Sequence, residues 1–155
     1  LSLKELLETA KRKTSLKLVL ELKAHSKPER EIKAVEEIVS MIKKMGLEPR
    51  MIYITFSSHA LKELIRQAPT STPVYYLKGD LSPQQLKELG SAGPDYHFSE
   101  FYRYTDWIES CHALGLKVNV WTVNKKEDMQ YFWDKVDFIT TDEPLGLLKD
   151  IMKVK

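Results

Sequence analysis

The chain has 155 residues, 43% of them hydrophobic and 30% charged, a composition that can bury the core of one domain. Its 24 basic and 22 acidic residues leave a formal net charge of +2, and no window combines Lys and Arg with aromatic residues as nucleic-acid grooves do. We therefore expect a single domain over residues 1–155 and no nucleic-acid partner. One cysteine excludes an intramolecular disulfide, and no apolar run approaches the roughly 20 residues of a transmembrane helix, which predicts no transmembrane segment.

Strand-like and helix-like segments alternate along the chain. Apolar, β-rich runs predict six strands, at residues 16–23, 50–56, 73–77, 95–99, 116–123 and 137–142. Helix signals lie between them: a Ser2–Glu5 capping box, Pro28 with Gly46 as a stop, Ser82-Pro83, Thr105 with Gly115 as a stop, and Asn124 with Glu127. Strands that alternate with helices predict an α/β fold with a mostly parallel sheet.

The length of the chain makes an open, doubly wound parallel sheet the natural candidate, because a complete (β/α)8 barrel needs about 250 residues. The turns after the first two predicted strands, ELKAHSKPE and TFSSHALK, contain no glycine. An open sheet that binds nucleotides through a glycine-rich loop therefore lacks its usual sequence support.

The stretch KLVLELKAH, residues 17–25, places two charges in the first predicted strand. Because side chains alternate along a strand, Glu21 and Lys23 project from the same side, opposite the leucines, at the carboxyl end where α/β folds place their sites. One interpretation is a structural ion pair. The other is a carboxylate ligand for a hard cation beside a phosphate-binding lysine, for which Glu21 needs further oxygen ligands from elsewhere.

A second informative stretch is GLKVNVWTVN, residues 115–124. Asn119 and Trp121 project from the same side of a predicted strand, and the tryptophan is expected either in the core or on the wall of a pocket. The four histidines show no metal-ligand spacing, no serine lies in a nucleophile elbow, and Cys111 lies within a predicted helix. Covalent catalysis therefore has no candidate.

In order and spacing, these motifs resemble the C-terminal two-thirds of the glycerophosphodiester phosphodiesterase family. The resemblance runs through SLKELLETAK, LVLELK, a strand that ends in Phe56 before ALKEL, PVYYL and GPDYH, and it closes with GLKVNVWTVNKKEDM and VDFITTDEP. The family fold is a (β/α)8 barrel. The resemblance implies an incomplete barrel of about six βα units, with these strands as the third to the eighth.

The resemblance also implies roles for four residues. Glu21 is expected to be one carboxylate ligand of a divalent cation, Ca²⁺ or Mg²⁺, and Lys23 to contact the substrate phosphate. Phe56 and Trp121 are expected to line the pocket for a glycerophosphodiester, which such a site would hydrolyse to glycerol 3-phosphate and an alcohol.

The family's HRG segment, Glu-x-Asp pair and His-Asp pair have no counterpart in the 155 residues. They supply the catalytic histidines and the other metal ligands, and neither His25 nor His97 stands at a matching position. The resemblance therefore predicts that the chain by itself is inactive. The alternative is a non-catalytic binding or interaction module derived from the same barrel.

An incomplete barrel exposes the edges of its first and last strands, and exposed strand edges favour pairing with another chain. We expect either a homo-oligomer that joins these edges or a retained N-terminal fragment that covers them. Leu1 in place of a methionine suggests a processed or trimmed product, and a cytoplasmic or a periplasmic or secreted location fits the sequence equally.

Overall fold

A computed structural model describes residues 2–152 of the chain. Its contacts group into two compact units, Leu1–Tyr75 and Tyr76–Lys155. The prediction of a single domain over residues 1–155 stays a prediction.

The first unit alternates helices and strands in chain order. Its elements are α1 (Leu3–Lys13), β1 (Leu18–Leu22), α2 (Pro28–Met45), a short 3-10 helix (Glu48–Arg50), β2 (Met51–Thr55), α3 (Ser58–Gln67) and the start of β3 (Val74–Tyr76). β1 and β2 are parallel, with Leu18 opposite Met51 and Leu22 opposite Thr55.

The second unit continues the alternation with more and shorter helices. After the end of β3, its elements are α4 (Pro83–Leu89), β4 (Gly93–His97), α5 (Phe98–Arg103), α6 (Trp107–Ala113), β5 (Asn119–Trp121), α7 (Lys126–Phe132), β6 (Phe138–Ile139) and α8 (Pro144–Met152). β4 and β5 are parallel, as are β5 and β6. Within each unit, strands that are consecutive in the chain are neighbours in the sheet.

Each unit has its own buried apolar side chains. In the first, Val35 and Ile42 of α2 and Leu61 and Leu64 of α3 are almost completely buried, as their helical spacing requires. The second is built on aromatic rings: Tyr96 stacks on Phe101 with their centroids 6.1 Å apart, and both rings are 0% exposed. None of the helices in the described part of the chain is long and apolar enough to cross a membrane.

Three of the predicted helix signals are confirmed. Ser2 and Glu5 form a reciprocal capping box at α1, and Pro28 is at the first position of α2, which ends at Gly46 with φ 66°. Ser82 caps α4, where Pro83 takes the first position. The left-handed backbone conformation at Gly46 costs little energy, because glycine has no Cβ to clash with the backbone.

Several predicted boundaries are wrong. The strands predicted at 16–23, 116–123 and 137–142 are shorter, at Leu18–Leu22, Asn119–Trp121 and Phe138–Ile139. α6 begins at Trp107 after Asp106, not at Thr105. α7 begins after Lys125, because Asn124 Oδ1, the acceptor that a helix cap would use, instead accepts the backbone N–H of Asp142 at 3.0 Å.

The predicted strand at 95–99 runs over 93–97, and Phe98 begins α5. The N–H of Ser99 donates to the His97 ring, a local cap that starts a helix where the apolar pattern predicts a strand.

Candidate functional site

The carboxyl end of β1 carries the predicted charged pair. Glu21 lies in β1 opposite Ile54 of β2, and Lys23 follows the last residue of the strand. Lys23 Nζ is 2.8 Å from Glu21 Oε1, with side-chain exposures of 77% and 27%. The predicted ion pair is therefore present, and the lysine side chain still reaches solvent.

Glu21 Oε1 is itself buried. Although Lys23 Nζ lies 2.8 Å away, their contact lacks hydrogen-bond angles, and no other group among the described residues donates to this oxygen. A buried carboxylate oxygen normally accepts a hydrogen bond or binds a cation. This oxygen therefore suits a cation, although among the side chains that the structure describes no three of His, Cys, Asp or Glu are grouped so that they could hold a metal ion.

Glu31 forms a buried polar centre near this strand end. It lies in the first turn of α2 and is only 3% exposed. Its Oε1 accepts the backbone N–H of His25 at 3.0 Å. Its Oε2 accepts the Ser57 hydroxyl at 2.9 Å and lies 2.9 Å from Nδ1 of His59. This carboxylate thus joins the loop after β1 to the loop and helix after β2.

A second set of hydrogen bonds joins the same two strand ends. The buried hydroxyl of Thr55 donates to the carbonyl of Leu22 at 2.8 Å and accepts the N–H of Ser57 at 3.1 Å. Ser57 also caps α3 by accepting the N–H of Ala60. Phe56, which is predicted to line a pocket, lies between Thr55 and Ser57 and is 38% exposed.

The hydrogen bonds of Glu31 set its ionisation. Burial by itself raises the pKa of this carboxyl, but the His25 N–H, the Ser57 hydroxyl and the His59 ring, together with the charge of His59, hold the pKa below its usual 4.5. Glu31 is therefore ionised at neutral pH.

Trp121 lies in the second unit, at the end of β5. Its Nε1 donates to the carbonyl of Asp95 in β4 at 2.8 Å, and the ring of His97 stands against it edge-on, with centroids 5.0 Å apart. The ring of Phe98 follows at 4.1 Å from His97. Trp121 and Asn119 are each partly exposed, whereas Val118 and Val120 are 0% exposed. Trp121 is thus not a core residue of this unit.

Each of the four histidines is engaged in a contact within its own unit. His25 contributes its backbone N–H to Glu31, and the ring of His97 is held by Ser99 and by its aromatic neighbours. His59 and His112 contact the carboxylates of Glu31 and Asp137, respectively.

Asp137 organises a polar network in the second unit. Its Oδ2 accepts the backbone N–H of Val118 and lies 2.8 Å from His112 Nε2, while Lys117 Nζ lies 3.3 Å from Oδ1. Burial by itself raises the pKa of Asp137, but these donors and the charge of His112 hold the pKa below its usual 3.8. The network precedes β5 and β6, so it lies at the amino ends of these strands.

Sequence reasoning missed both carboxylate networks. Glu31 stands among the charged residues KPERE at a helix start, which resembles an ordinary solvated first turn. The one local clue is Ser57, whose residue type suits a helix cap. Its hydrogen bond to Glu31, 26 positions away, leaves no local pattern in the sequence.

Comparison with known proteins identifies a family. The model of the glycerophosphoryl diester phosphodiesterase family matches residues 1–145. A glycerophosphodiester phosphodiesterase of Caldanaerobacter subterraneus subsp. tengcongensis is 30% identical over 123 residues, which cover 76% of this chain and 49% of that protein.

Solved structures agree. A glycerophosphodiester phosphodiesterase from Parabacteroides distasonis is similar with a TM-score of 0.93 and 42% identity, over 98% of this chain and 64% of that one. A phosphodiesterase from Oleispira antarctica, solved in complex with the product sn-glycerol-3-phosphate, is similar in fold, with a TM-score of 0.65 and 19% identity over 87% of this chain and 56% of that one.

These matches confirm the predicted fold class, α/β of the incomplete (β/α)8 type, over the doubly wound alternative. The chain spans about half the length of the curated relative and less than two-thirds of each of these solved chains.

Proposed function

Because the chain belongs to the glycerophosphoryl diester phosphodiesterase family, we propose that its residues serve the hydrolysis of glycerophosphodiesters to glycerol 3-phosphate and an alcohol. The observation that carries the proposal is the Glu21–Lys23 pair at the carboxyl end of β1, where this class of fold places its catalytic groups. The product bound to the Oleispira antarctica phosphodiesterase supports the same substrate class.

In this proposal Glu21 is one ligand of a divalent cation, either Ca²⁺ or Mg²⁺, and the remaining oxygen ligands come from residues outside those described. The buried Oε1, which accepts no hydrogen bond among the described residues, supports this role. Such a cation polarises a phosphoryl oxygen and stabilises the negative charge that develops on it during attack.

Lys23 has the charge and the reach for the substrate phosphate. Its ammonium lies 2.8 Å from Glu21 Oε1 while the side chain is 77% exposed, so it can donate to a phosphate oxygen that arrives from solution. Phe56 and Trp121 supply aromatic surface for the glycerol or the alcohol group, and the partial exposure of both rings supports that role.

The general acid and base are not among these residues. His25 contributes its backbone N–H to Glu31, and the His97 ring packs on Phe98 and Trp121, so neither contact supports a role in proton transfer. The chain by itself therefore binds but does not turn over the diester.

A side-by-side assay tests the proposal. The polypeptide encoded by the complete gene should hydrolyse glycerophosphocholine with Ca²⁺ or Mg²⁺ added, whereas the 155-residue chain should not. Lys23→Met should lower hydrolysis by about 100-fold or more, the usual cost of losing a group that stabilises charge in the transition state. Lys33→Met is the control, because Lys33 is equally exposed and also lies near a glutamate. Absence of turnover by the complete protein across several headgroups would refute the activity and favour a non-catalytic module.

A partner that covers exposed strand edges is the second part of the proposal. Val19 of β1 is 57% exposed and Phe138 of β6 is 47% exposed, and each strand is the end strand of its unit. The covering partner is a second copy of the chain or a retained N-terminal fragment. Sedimentation should show a dimer, or mass spectrometry a second peptide; an 18.0 kDa monomer alone would contradict both.

A further inference from the structure

The carboxylate of Glu31 is buried between two loops that carry predicted functional residues. We propose that Glu31 is a positioning residue, which holds the segment Leu22–His25 and the segment Thr55–Ser57 in the arrangement that presents Lys23 and Phe56 to a phosphate ester. The inference deepens the proposed function and rests on it for the roles of Lys23 and Phe56.

Each contact of Glu31 fixes one element. The His25 N–H fixes the loop two residues after Lys23, and the Ser57 hydroxyl fixes the residue after Phe56. The contact with His59 Nδ1 brings in the first turn of α3. A single carboxylate on α2 thereby restrains both loops from one point.

Thr55 closes the arrangement from the strand side. Its hydroxyl bonds the carbonyl of Leu22 and the N–H of Ser57, so the two loops are held at their strand ends as well as at their helix ends. We call Glu31, Thr55 and Ser57 the loop clamp. Lys23 lies inside the span that the clamp restrains, between Leu22 and His25.

Restraint matters here because Lys23 has a long side chain on an exposed loop. If the loop that carries a phosphate-binding group becomes ordered only on binding, the lost conformational entropy lowers the affinity. A loop that is already ordered in the free protein avoids this cost. A buried, charged acceptor gives stronger hydrogen bonds than a neutral one, so Glu31 suits this task better than a neutral side chain.

Amide hydrogen exchange of the 155-residue chain, measured by NMR, tests the clamp directly. Glu31→Met keeps the length of the side chain and removes the acceptors, and it should speed exchange at His25 by about 10- to 100-fold, the equivalent of one hydrogen bond to a charged group. Glu31→Gln can keep an acceptor for His25 and a donor for Ser57, so it should restore most of the protection. Equal exchange at His25 in the wild type and Glu31→Met would overturn the proposal.

Titration with sn-glycerol 3-phosphate provides the functional readout. In the wild type, the ligand should shift the amide signals of Lys23 and Phe56. Glu31→Met should raise its Kd about tenfold, with Glu31→Gln near the wild type. Asp137→Asn is the matched control: it weakens a similar network at the other strand ends and should leave this Kd unchanged.

The exchange experiment and the titration together distinguish failure of the proposed function from failure of the positioning role. If the wild type does not bind sn-glycerol 3-phosphate, the proposed function of this chain fails, and exchange at His25 alone decides whether the clamp exists. If exchange at His25 rises in Glu31→Met but the Kd does not change, Glu31 is structural and the positioning role is wrong. Should Glu31→Met not fold, Thr55→Val cuts the same clamp from the strand side and carries the same expected rise in Kd.

Discussion

Two carboxylates, one in each unit, build polar networks with nearly the same chemistry. Glu31 and Asp137 each accept a backbone N–H and contact a histidine ring, and both have a lowered pKa for the same reasons. They differ in place. Glu31 joins loops that follow β1 and β2, whereas Asp137 joins segments that precede β5 and β6. In folds of this class, residues at the carboxyl ends of the strands serve chemistry and those at the amino ends serve stability. The role of each network is therefore indicated by its position along the strands and not by its hydrogen-bond donors.

The two networks also differ in burial. The side chain of Glu31 is 4% exposed and that of Asp137 is 21% exposed. Water can replace a lost partner at Asp137 more easily than at Glu31, which sets the order of the effects expected below.

Alanine substitution at each carboxylate compares the networks most sharply. Glu31→Ala should lower the free energy of unfolding by about 2–3 kcal/mol, because it strands donors in a buried site, while Asp137→Ala should cost about 1 kcal/mol. Urea unfolding followed by far-UV circular dichroism measures both losses. Equal losses in the two variants would contradict the prediction that burial sets the size of the effect.

Lysine substitutions compare the two strand ends as ligand sites. Lys23 and Lys117 are both exposed and both lie beside a carboxylate, at 2.8 Å and 3.3 Å. Lys23→Met should weaken the binding of sn-glycerol 3-phosphate about tenfold, through loss of one charge-assisted hydrogen bond, and Lys117→Met should not. Calorimetric titration of the two variants decides the point; a similar loss in both would mean that the phosphate is attracted by general positive charge.

The pH dependence of stability has the smallest expected effect. A carboxyl whose pKa is lowered in the folded state stabilises the fold above the pKa of the unfolded chain, and this contribution is lost as the pH falls through the folded-state pKa. For Glu31 the loss begins below its usual value of 4.5, and for Asp137 below 3.8. Glu31→Gln should flatten the first part of this decline and Asp137→Asn the later part. Unfolding free energies measured from about pH 7 to pH 3 test this, and unchanged slopes in both variants would contradict it.

The sequence predicted the charged pair correctly because its evidence is local. Two residues that are two positions apart in an extended chain share a side, and Lys23 directly follows β1, so the sequence places Glu21 and Lys23 next to each other. Their roles in cation and phosphate binding come from the resemblance and remain predictions.

The same local reasoning failed at Asn124. Its side chain has the chemistry of a helix cap, and the sequence indicated one, but its Oδ1 accepts the backbone N–H of Asp142 instead. A backbone N–H 18 positions away takes this oxygen in place of the first N–H groups of α7, and no nearby pattern reveals such a competitor.

By itself, the sequence determined the alternation of strands and helices, most of the helix caps and the side on which Glu21 and Lys23 lie, because hydrophobic period and capping chemistry act within a few residues. Only the tertiary structure decided that Glu31 is buried and Asp137 partly exposed. Burial and shared hydrogen bonds depend on which distant loops meet, and the partners of Glu31 range from 6 to 28 positions away along the chain.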